Sequence, residues 1–346
     1  MYGRGTQDDK SPTIAVYLAL KFIKENKIKL NREIRLIIGG NEERNHLGLT
    51  HYFEKFPYPI ASFTADNTFP LVNGEKGGAI FEATINKKHP LIIKFFGGEV
   101  VNAVAEYAEA IVKKEKGMIG FFNSHKNDLI NLEIIDNGNT LTIKGQGKPS
   151  HGSMPENGIS ASTNVLKMIN DFSYDNSTQK ILNLFHDKFY GEGFGLEVSK
   201  EEGLIKGKPS SSCGIIKTEK GNYQIHVDLR FPSIFTKEFI EKKLIKYFDN
   251  IKPNKISNPL FISEEKKLTK ILINSYRDIT GDKNAKPELS GGGTYAKVIP
   301  NCLAFGMLFP GEEERMHNID ERIAIESILK AIQIYVEAII KLANAD

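Results

Sequence analysis

Apolar residues fall along the chain in runs whose spacing changes twice. Ser11 to Lys27 carries Ile14, Val16, Leu18, Ala19, Phe22 and Ile23 at near-helical intervals. They follow Ser11-Pro12, a cap and then the proline favoured in a first turn, and predict a helix. Glu33 to Gly39 (Glu-Ile-Arg-Leu-Ile-Ile-Gly) is a short apolar run of strand type. The loop Gly40 to His46 follows, then a helix over Leu47 to Phe56 and a strand Ala61 to Thr64 ending at Ala65-Asp66. Helix, strand, helix, strand with short loops predicts a parallel sheet.

After Pro70 the texture changes. Ala79 to Ile85 and Leu91 to Phe96 read as strands, Val101 to Lys114 as a helix, and Leu132 to Ile135 with Leu141 to Lys144 as a hairpin around Asn137-Gly138. Helices are expected over Ile159 to Asp171, Thr178 to Phe189 and Lys237 to Phe248, with a strand Tyr223 to Phe231 between them. Asn250 to Asn258 reads as a linker by composition. Beyond it come a helix Glu264 to Ile279, the glycine-rich Ser290 to Tyr295, a buried-type strand Cys302 to Leu308 and a long terminal helix, Asp320 to Leu342. The simplest arrangement is an α/β domain made of residues 1–75 and 257–346, with an α+β domain inserted over 76–256.

Composition narrows the function. A length of 346 residues suits roughly two domains. Lys plus Arg (46) nearly balances Asp plus Glu (43), which argues against nucleic acid or a membrane as partner. Two distant cysteines, Cys213 and Cys302, make neither a disulfide framework nor a cysteine-type zinc site, and a cytoplasmic setting fits them best. No apolar run approaches the roughly 18 residues of a membrane span, and the first ten residues lack a signal-peptide core.

The acids fall where a parallel sheet binds ligands, outside the carboxyl ends of its strands. Asp8 and Asp9 precede the first helix, Glu42 and Glu43 follow the first expected strand, and Asp66 follows the next. Such anions repel unless a cation neutralises them, and carboxylates with an imidazole form the ligand set of divalent zinc, manganese or cobalt. His317, between the last strand and the terminal helix, can supply the imidazole. Each feature alone is ordinary surface chemistry; their convergence at strand ends is the signal.

Tyr2-Gly-Arg-Gly-Thr-Gln-Asp-Asp-Lys10, Asn41-Glu-Glu43, Phe63-Thr-Ala-Asp66, Val72-Asn-Gly-Glu-Lys-Gly77, Phe96-Gly-Gly-Glu99, His151-Gly-Ser-Met-Pro-Glu156, Asp228-Leu-Arg-Phe-Pro232, Gly291-Gly-Gly-Thr-Tyr-Ala296 and Phe309-Pro-Gly311 with Met316-His317 follow in order. Over essentially the whole chain this set resembles the dinuclear zinc metallopeptidases of the aminoacylase and carnosinase type, most closely the dipeptidase V (Xaa-His dipeptidase) branch. The resemblance implies a parallel-sheet catalytic domain with an inserted ferredoxin-like lid. It implies Asp8 as the carboxylate bridging two zinc ions, Glu43 and His317 as further ligands of one, Asp66 as a ligand of the other, and Glu42 as general base. It casts His151 as the oxyanion donor, Asn102 and Arg230 as lid residues that bind substrate, and Gly293 and Thr294 as contacts to the substrate carboxylate.

The family's upstream His-x-Asp motif belongs on a strand before Tyr2-Gly-Arg-Gly5; the His-x-Asp of this sequence, His226-Val-Asp228, falls in the lid. The resemblance therefore implies a chain that lacks the first part of the catalytic domain, with one metal site short of ligands, exposed sheet edges, and poor solubility or rescue by a partner. Asn41, Ser11 and Ala105 are lesser departures. The expected activity is metal-dependent hydrolysis of dipeptides or short peptides with a free amino end, by a monomer. The alternatives are an inactive remnant that binds at most one metal or peptide, and an amino-acid deacylase on the same scaffold.

Overall fold

The computed structural model describes residues 1–43, 46–125, 130–173, 178–185, 196, 198–199, 202, 207–316 and 319–345, without the side chains of 180, 184 and 185. The chain forms two compact units, Met1–Glu75 with Leu260–Asp346, and Lys76–Pro259.

In the first unit the helix Lys10–Glu25 buries Ser11, Ala15, Ala19 and Ile23, four residues apart and so on one face. That face meets the terminal helix Ile325–Asn344 and the helix Lys267–Thr280 in a core that includes Leu272, Tyr276, Ala331, Ile334, Tyr335 and Ala338. Phe69, Leu303 and Phe305 join the core from the sheet side. The sheet itself is mixed. Ser62–Thr64 lies parallel to Cys302–Ala304, which meets Val72–Glu75 antiparallel at Ala304 and Val72; that strand pairs antiparallel with Leu260–Phe261 and parallel with Glu288–Ser290.

This corrects the parallel sheet expected from the sequence. Parallel neighbours need a crossover of a dozen or more residues, and the chain passes from Thr64 to Val72 too quickly for one. The run Glu33 to Gly39 is a second correction: it is no strand, because no described residue forms a ladder with it. The buried-type run Cys302 to Leu308 divides into Cys302–Ala304 and Met307–Leu308, the latter parallel to Asn67–Thr68.

The second unit is built on an eight-stranded sheet in the order Asn250–Ser257, Gly77–Ile85, Asn222–Phe231, Ser210–Glu219, Ile92–Gly97, Tyr107–Lys113, Thr140–Gln146, Asn131–Asp136, every pair antiparallel. The helix Ala161–Ser173 supplies Val165, Leu166 and Ile169 to the core that one face of the sheet builds with Phe81, Ile143, Ile216 and Val227. The hairpin around Asn137-Gly138 closes through Asn137 N–H to the Thr140 carbonyl, 2.9 Å.

Two expectations fail here, and one strand goes unforeseen, for one reason. Helix-forming Ala and Glu suggest a helix over 101–114, yet buried Ala108, Ala110 and Val112 alternate with less buried neighbours, and residues 107–113 form a central strand. Asn250 to Asn258 is no linker but an edge strand, its Pro253 placed where the register shifts, as an edge tolerates. Ser210–Glu219, masked by its polar Ser-Ser-Ser start, is a full strand. In each case sheet packing overrides local composition. The helix expected over 178–189 is found as Gln179–Phe185, its remainder lying outside the described residues.

Candidate functional site

The first unit gathers the acids. The loop Gly3 to Asp9 is shaped by Glu321, whose carboxylate is almost fully buried. It accepts the backbone N–H groups of Gly5 (2.9 Å), Gln7 (2.7 Å) and Asp8 (3.0 Å) and the Arg4 guanidinium (3.0 Å). Burial alone would push this carboxyl up; the three N–H groups and Arg4 more than reverse it, so it sits below the usual carboxylate range. Gln7 adds a second clamp. Its amide donates to the carbonyls of Glu313 (2.9 Å) and Arg322 (2.8 Å) and accepts the Arg315 N–H (2.7 Å). The loop bearing Asp8 is thereby fastened to segments on both sides of position 317. His317 itself lies outside the described residues.

Asp9 and Asp66 are held in their neutral form. Burial, then the Asp8 and Glu42 charges, raise the Asp9 carboxyl to about 8, with a hydrogen bond from Thr13 (3.4 Å) opposing. Burial, then Asp9, Glu42, Asp8 and Glu75, raise Asp66 to about 9. Each of these carboxyls is influenced by acids from the other two loops, so the carboxylates of all three expected loops converge. Glu42 lies 3.4 Å from His46 Nε2, and the His46 ring meets Tyr295 edge-on at 5.4 Å.

The buried Oδ1 of Asp9 has no hydrogen-bond partner among the described residues, and crowded oxygen donors of this kind suit a divalent cation. The donor chemistry fits a metal. Among the described residues, which do not include His317, no group of three or more His, Cys, Asp or Glu side chains is placed to hold a metal ion.

Thr294 is one of the residues expected to contact substrate. It is buried, and both its N–H (3.0 Å) and its hydroxyl (2.7 Å) donate to Glu75, while the hydroxyl accepts the Ala296 N–H. Its polar groups anchor a buried carboxylate. Gly293, expected beside it, sits next to the Lys297 side chain.

In the second unit the expected residues Asn102, His151 and Arg230 share one neighbourhood. The Asn102 carbonyl accepts the Gly152 N–H at 2.7 Å. A Cβ at Gly152 would lie 2.8 Å from both an Asp228 carboxylate oxygen and the Ser212 hydroxyl, so only glycine brings the His151 loop this close. Asp228, fully buried, receives Arg230 Nε (2.7 Å) and Nη2 (2.8 Å) as a two-pronged pair. His151 Nδ1 accepts the Ser153 N–H (3.2 Å) and lies 2.7 Å from its hydroxyl; since a backbone N–H can only donate, the neutral ring carries its proton on Nε2. Lys76 is half-buried nearby, its partial burial lowering its ammonium despite Glu156 and with Arg230 adding to the fall.

The residues missed by sequence reasoning are Glu321, Gln7, Glu75 and Asp228. The last three lie inside quoted motifs and Glu321 just beyond one, but nothing local marks a carboxylate as the holder of a distant loop.

The model of the peptidase family M20/M25/M40 matches residues 1–341. The chain belongs to that family. A "Putative dipeptidase" of Staphylococcus epidermidis is 31% identical to this peptidase over 367 residues, spanning 99% of this chain and 76% of its own. Among solved structures, a tripeptidase from Staphylococcus aureus has a TM-score of 0.54 at 16% identity, covering 97% of this chain and 70% of that one. Human carnosine dipeptidase 1 has a TM-score of 0.52 at 12% identity, covering 99% and 73%. The M20 peptidase shares with them a mixed α/β fold. No helix among its described residues is long and apolar enough to cross a membrane.

Proposed function

We propose that this M20 peptidase hydrolyses the peptide bond of dipeptides or short peptides with a free amino terminus. The observation that carries the reading is the convergence of Asp8, Asp9, Glu42 and Asp66, whose charges add to burial in raising the Asp9 and Asp66 carboxyls. Divalent cations, zinc in this reading, would be held by Asp8 with Glu43 and His317 at one site and by Asp8 with Asp66 at the other, and would polarise water and the scissile carbonyl. Glu42 takes the proton of the attacking water and returns it to the leaving amine. Arg230, its Nε and Nη2 fixed on Asp228, keeps Nη1 for the carboxylate of the peptide. His151, protonated on Nε2, donates to the oxygen on which charge develops. The second unit, carrying these groups, takes the part of a lid.

A second reading is a remnant that binds one metal or a peptide without turnover. Metal content per chain, measured together with hydrolysis of a dipeptide panel and an N-acyl amino acid panel, decides between them. Dipeptide turnover that Glu42→Gln abolishes is the expected result. Metal at one equivalent or less with no turnover establishes the remnant, and preference for the acylated panel establishes a deacylase.

A further inference from the structure

Three consecutive glycines, Gly291-Gly292-Gly293, leave the strand Glu288–Ser290 and run into Thr294 and the short turn Tyr295–Lys297. A glycine run has the most backbone freedom to lose, so its shape has to be imposed from outside. Two anchors impose it. At one end the Ser290 hydroxyl accepts the Gly292 N–H (3.1 Å) and the Asn67 side-chain amide (3.4 Å). At the other, both oxygens of Glu75, a residue only 2% exposed, accept from Thr294, one its N–H and the other its hydroxyl. The loop borders the acids on both sides: Asn67 directly follows Asp66, and Tyr295 meets His46, which pairs with Glu42.

Between the anchors Gly293 is exposed, and a Cβ added there would lie 2.5 Å from Lys297 Nζ, 2.9 Å from its Cε and 3.0 Å from its Cδ. The half-buried lysine therefore folds back along its own loop and sets its ammonium over the Gly293 backbone. Glu75 attracts it there. Burial raises the Glu75 carboxyl, and the Thr294 hydroxyl, the Lys297 charge and the Thr294 N–H oppose that rise. One buried carboxylate thus holds the loop by hydrogen bonds and draws the lysine by charge.

An ammonium so placed, beside the acids that would hold the metal, discriminates between the two ends of a peptide. It repels the free amino terminus and attracts the carboxylate, and as a compact charge with three rotatable donors it requires no fixed angle of approach. We propose that Lys297 is a further substrate-binding residue, its ammonium taking the terminal carboxylate of the peptide at the exposed Gly293. The inference rests on the peptide reading above and narrows it to peptides whose carboxyl end is also free. A carboxylate offers about four acceptor positions, so this contact adds to the one proposed for Arg230.

Calorimetric titration of alanyl-alanine and of its C-terminal amide into the full chain carrying Glu42→Gln, with zinc present, reads the contact without turnover. Adding Lys297→Met is expected to weaken alanyl-alanine about tenfold or more, the scale of a hydrogen bond to a charged group. The amide, which offers no carboxylate, is expected not to weaken. Equal weakening of the two probes assigns Lys297 to the shape of the loop and overturns the proposal. An affinity for alanyl-alanine that Lys297→Met leaves unchanged overturns it too, as does a chain that binds no dipeptide before Lys297 is altered. The hydrolytic reading fails on a different result: a chain with Glu42 intact that binds alanyl-alanine and does not cleave it.

Discussion

In the second unit eight strands of up to ten residues form one antiparallel sheet, and its exposed edge at Asn250–Ser257 is defended by lysines and a proline. In the first unit the strands are two to four residues long, the sheet is mixed, and the apolar run 33–40 has no ladder partner among the described residues. Among the described residues the backbone is therefore laddered along more of its length in the second unit than in the first. The less laddered region is also where the acids converge. Precise placement there rests less on the sheet than on individual buried side chains, Glu321, Gln7 and Glu75, each holding a loop from a distant part of the sequence. In the second unit the sheet itself carries the functional groups, with Asp228 and Arg230 two residues apart on one strand.

The contrast should be largest in amide exchange. Strands 107–113 and 140–146, paired along their length, should open only by global unfolding, which at about 5 kcal/mol or more corresponds to protection of several thousandfold. Residues 33–40 in the isolated chain should exchange at nearly the unprotected rate. Equal protection in the two segments would mean that the run 33–40 is hydrogen-bonded in solution.

Asp228→Asn gives the next largest effect. The carboxylate is fully buried and its partner Arg230 nearly so, and removing one member of such a pair strands the other charge, at a cost of about 3–5 kcal/mol. Urea unfolding should show that loss, and the double variant with Arg230→Met should recover part of it. In the first unit Ile38→Ser, at an exposed position, should change stability by less than about 0.5 kcal/mol. A large loss there would show that the run is already covered.

The parts of this molecule legible in its sequence are those written by local rules. The hairpin at Asn137-Gly138 follows from turn chemistry, and the acids Asp8, Glu42 and Asp66 can be placed together because each stands in a loop beside a regular element or an apolar run. What escaped depends on partners far away. The hold of the Thr294 hydroxyl on Glu75 joins residues 219 apart in the sequence. Tyr107–Lys113 looked helical because Ala and Glu favour helices when nothing else decides; neighbouring strands on both sides decided otherwise. Glu33–Gly39 was a sound strand by composition, but a strand also needs a neighbour.

Glu321→Gln tests the claim that single side chains organise the first unit. The amide cannot accept from Gly5, Gln7, Asp8 and Arg4 together, because one of its two ends is a donor; hydrogen bonds to a charged group are worth about 1.5–3 kcal/mol, and a loss of about 2 is expected. Since the folded protein holds this carboxyl below its ordinary value of 4.5, its contribution is complete above that pH and is lost as the pH falls through the folded value. Wild type and variant should therefore differ in denaturant midpoint at pH 7 and converge in acid. A difference that persists unchanged at low pH would assign the effect to shape rather than charge.

The smallest effect separates the units by their helix starts. In the second unit Thr236 caps the helix Lys237–Leu244, its hydroxyl accepting the Phe239 N–H at 3.2 Å. In the first, the helices that begin after Asp9, Lys266 and Ala324 have no side-chain cap. Ala324 is exposed and already has the extended backbone of a capping residue (φ −71°, ψ 141°), so a serine there needs no rearrangement to accept the N–H of residue 326 or 327. Ala324→Ser should therefore stabilise the first unit by about 0.5–1 kcal/mol, raising its unfolding temperature by roughly 2–4 °C. Thr236→Ala should lower that of the second unit by a similar amount. If the two units unfold separately, calorimetry will show each substitution moving only its own transition. If they unfold together, both will move the same one, and the first unit will be drawing its stability from the second.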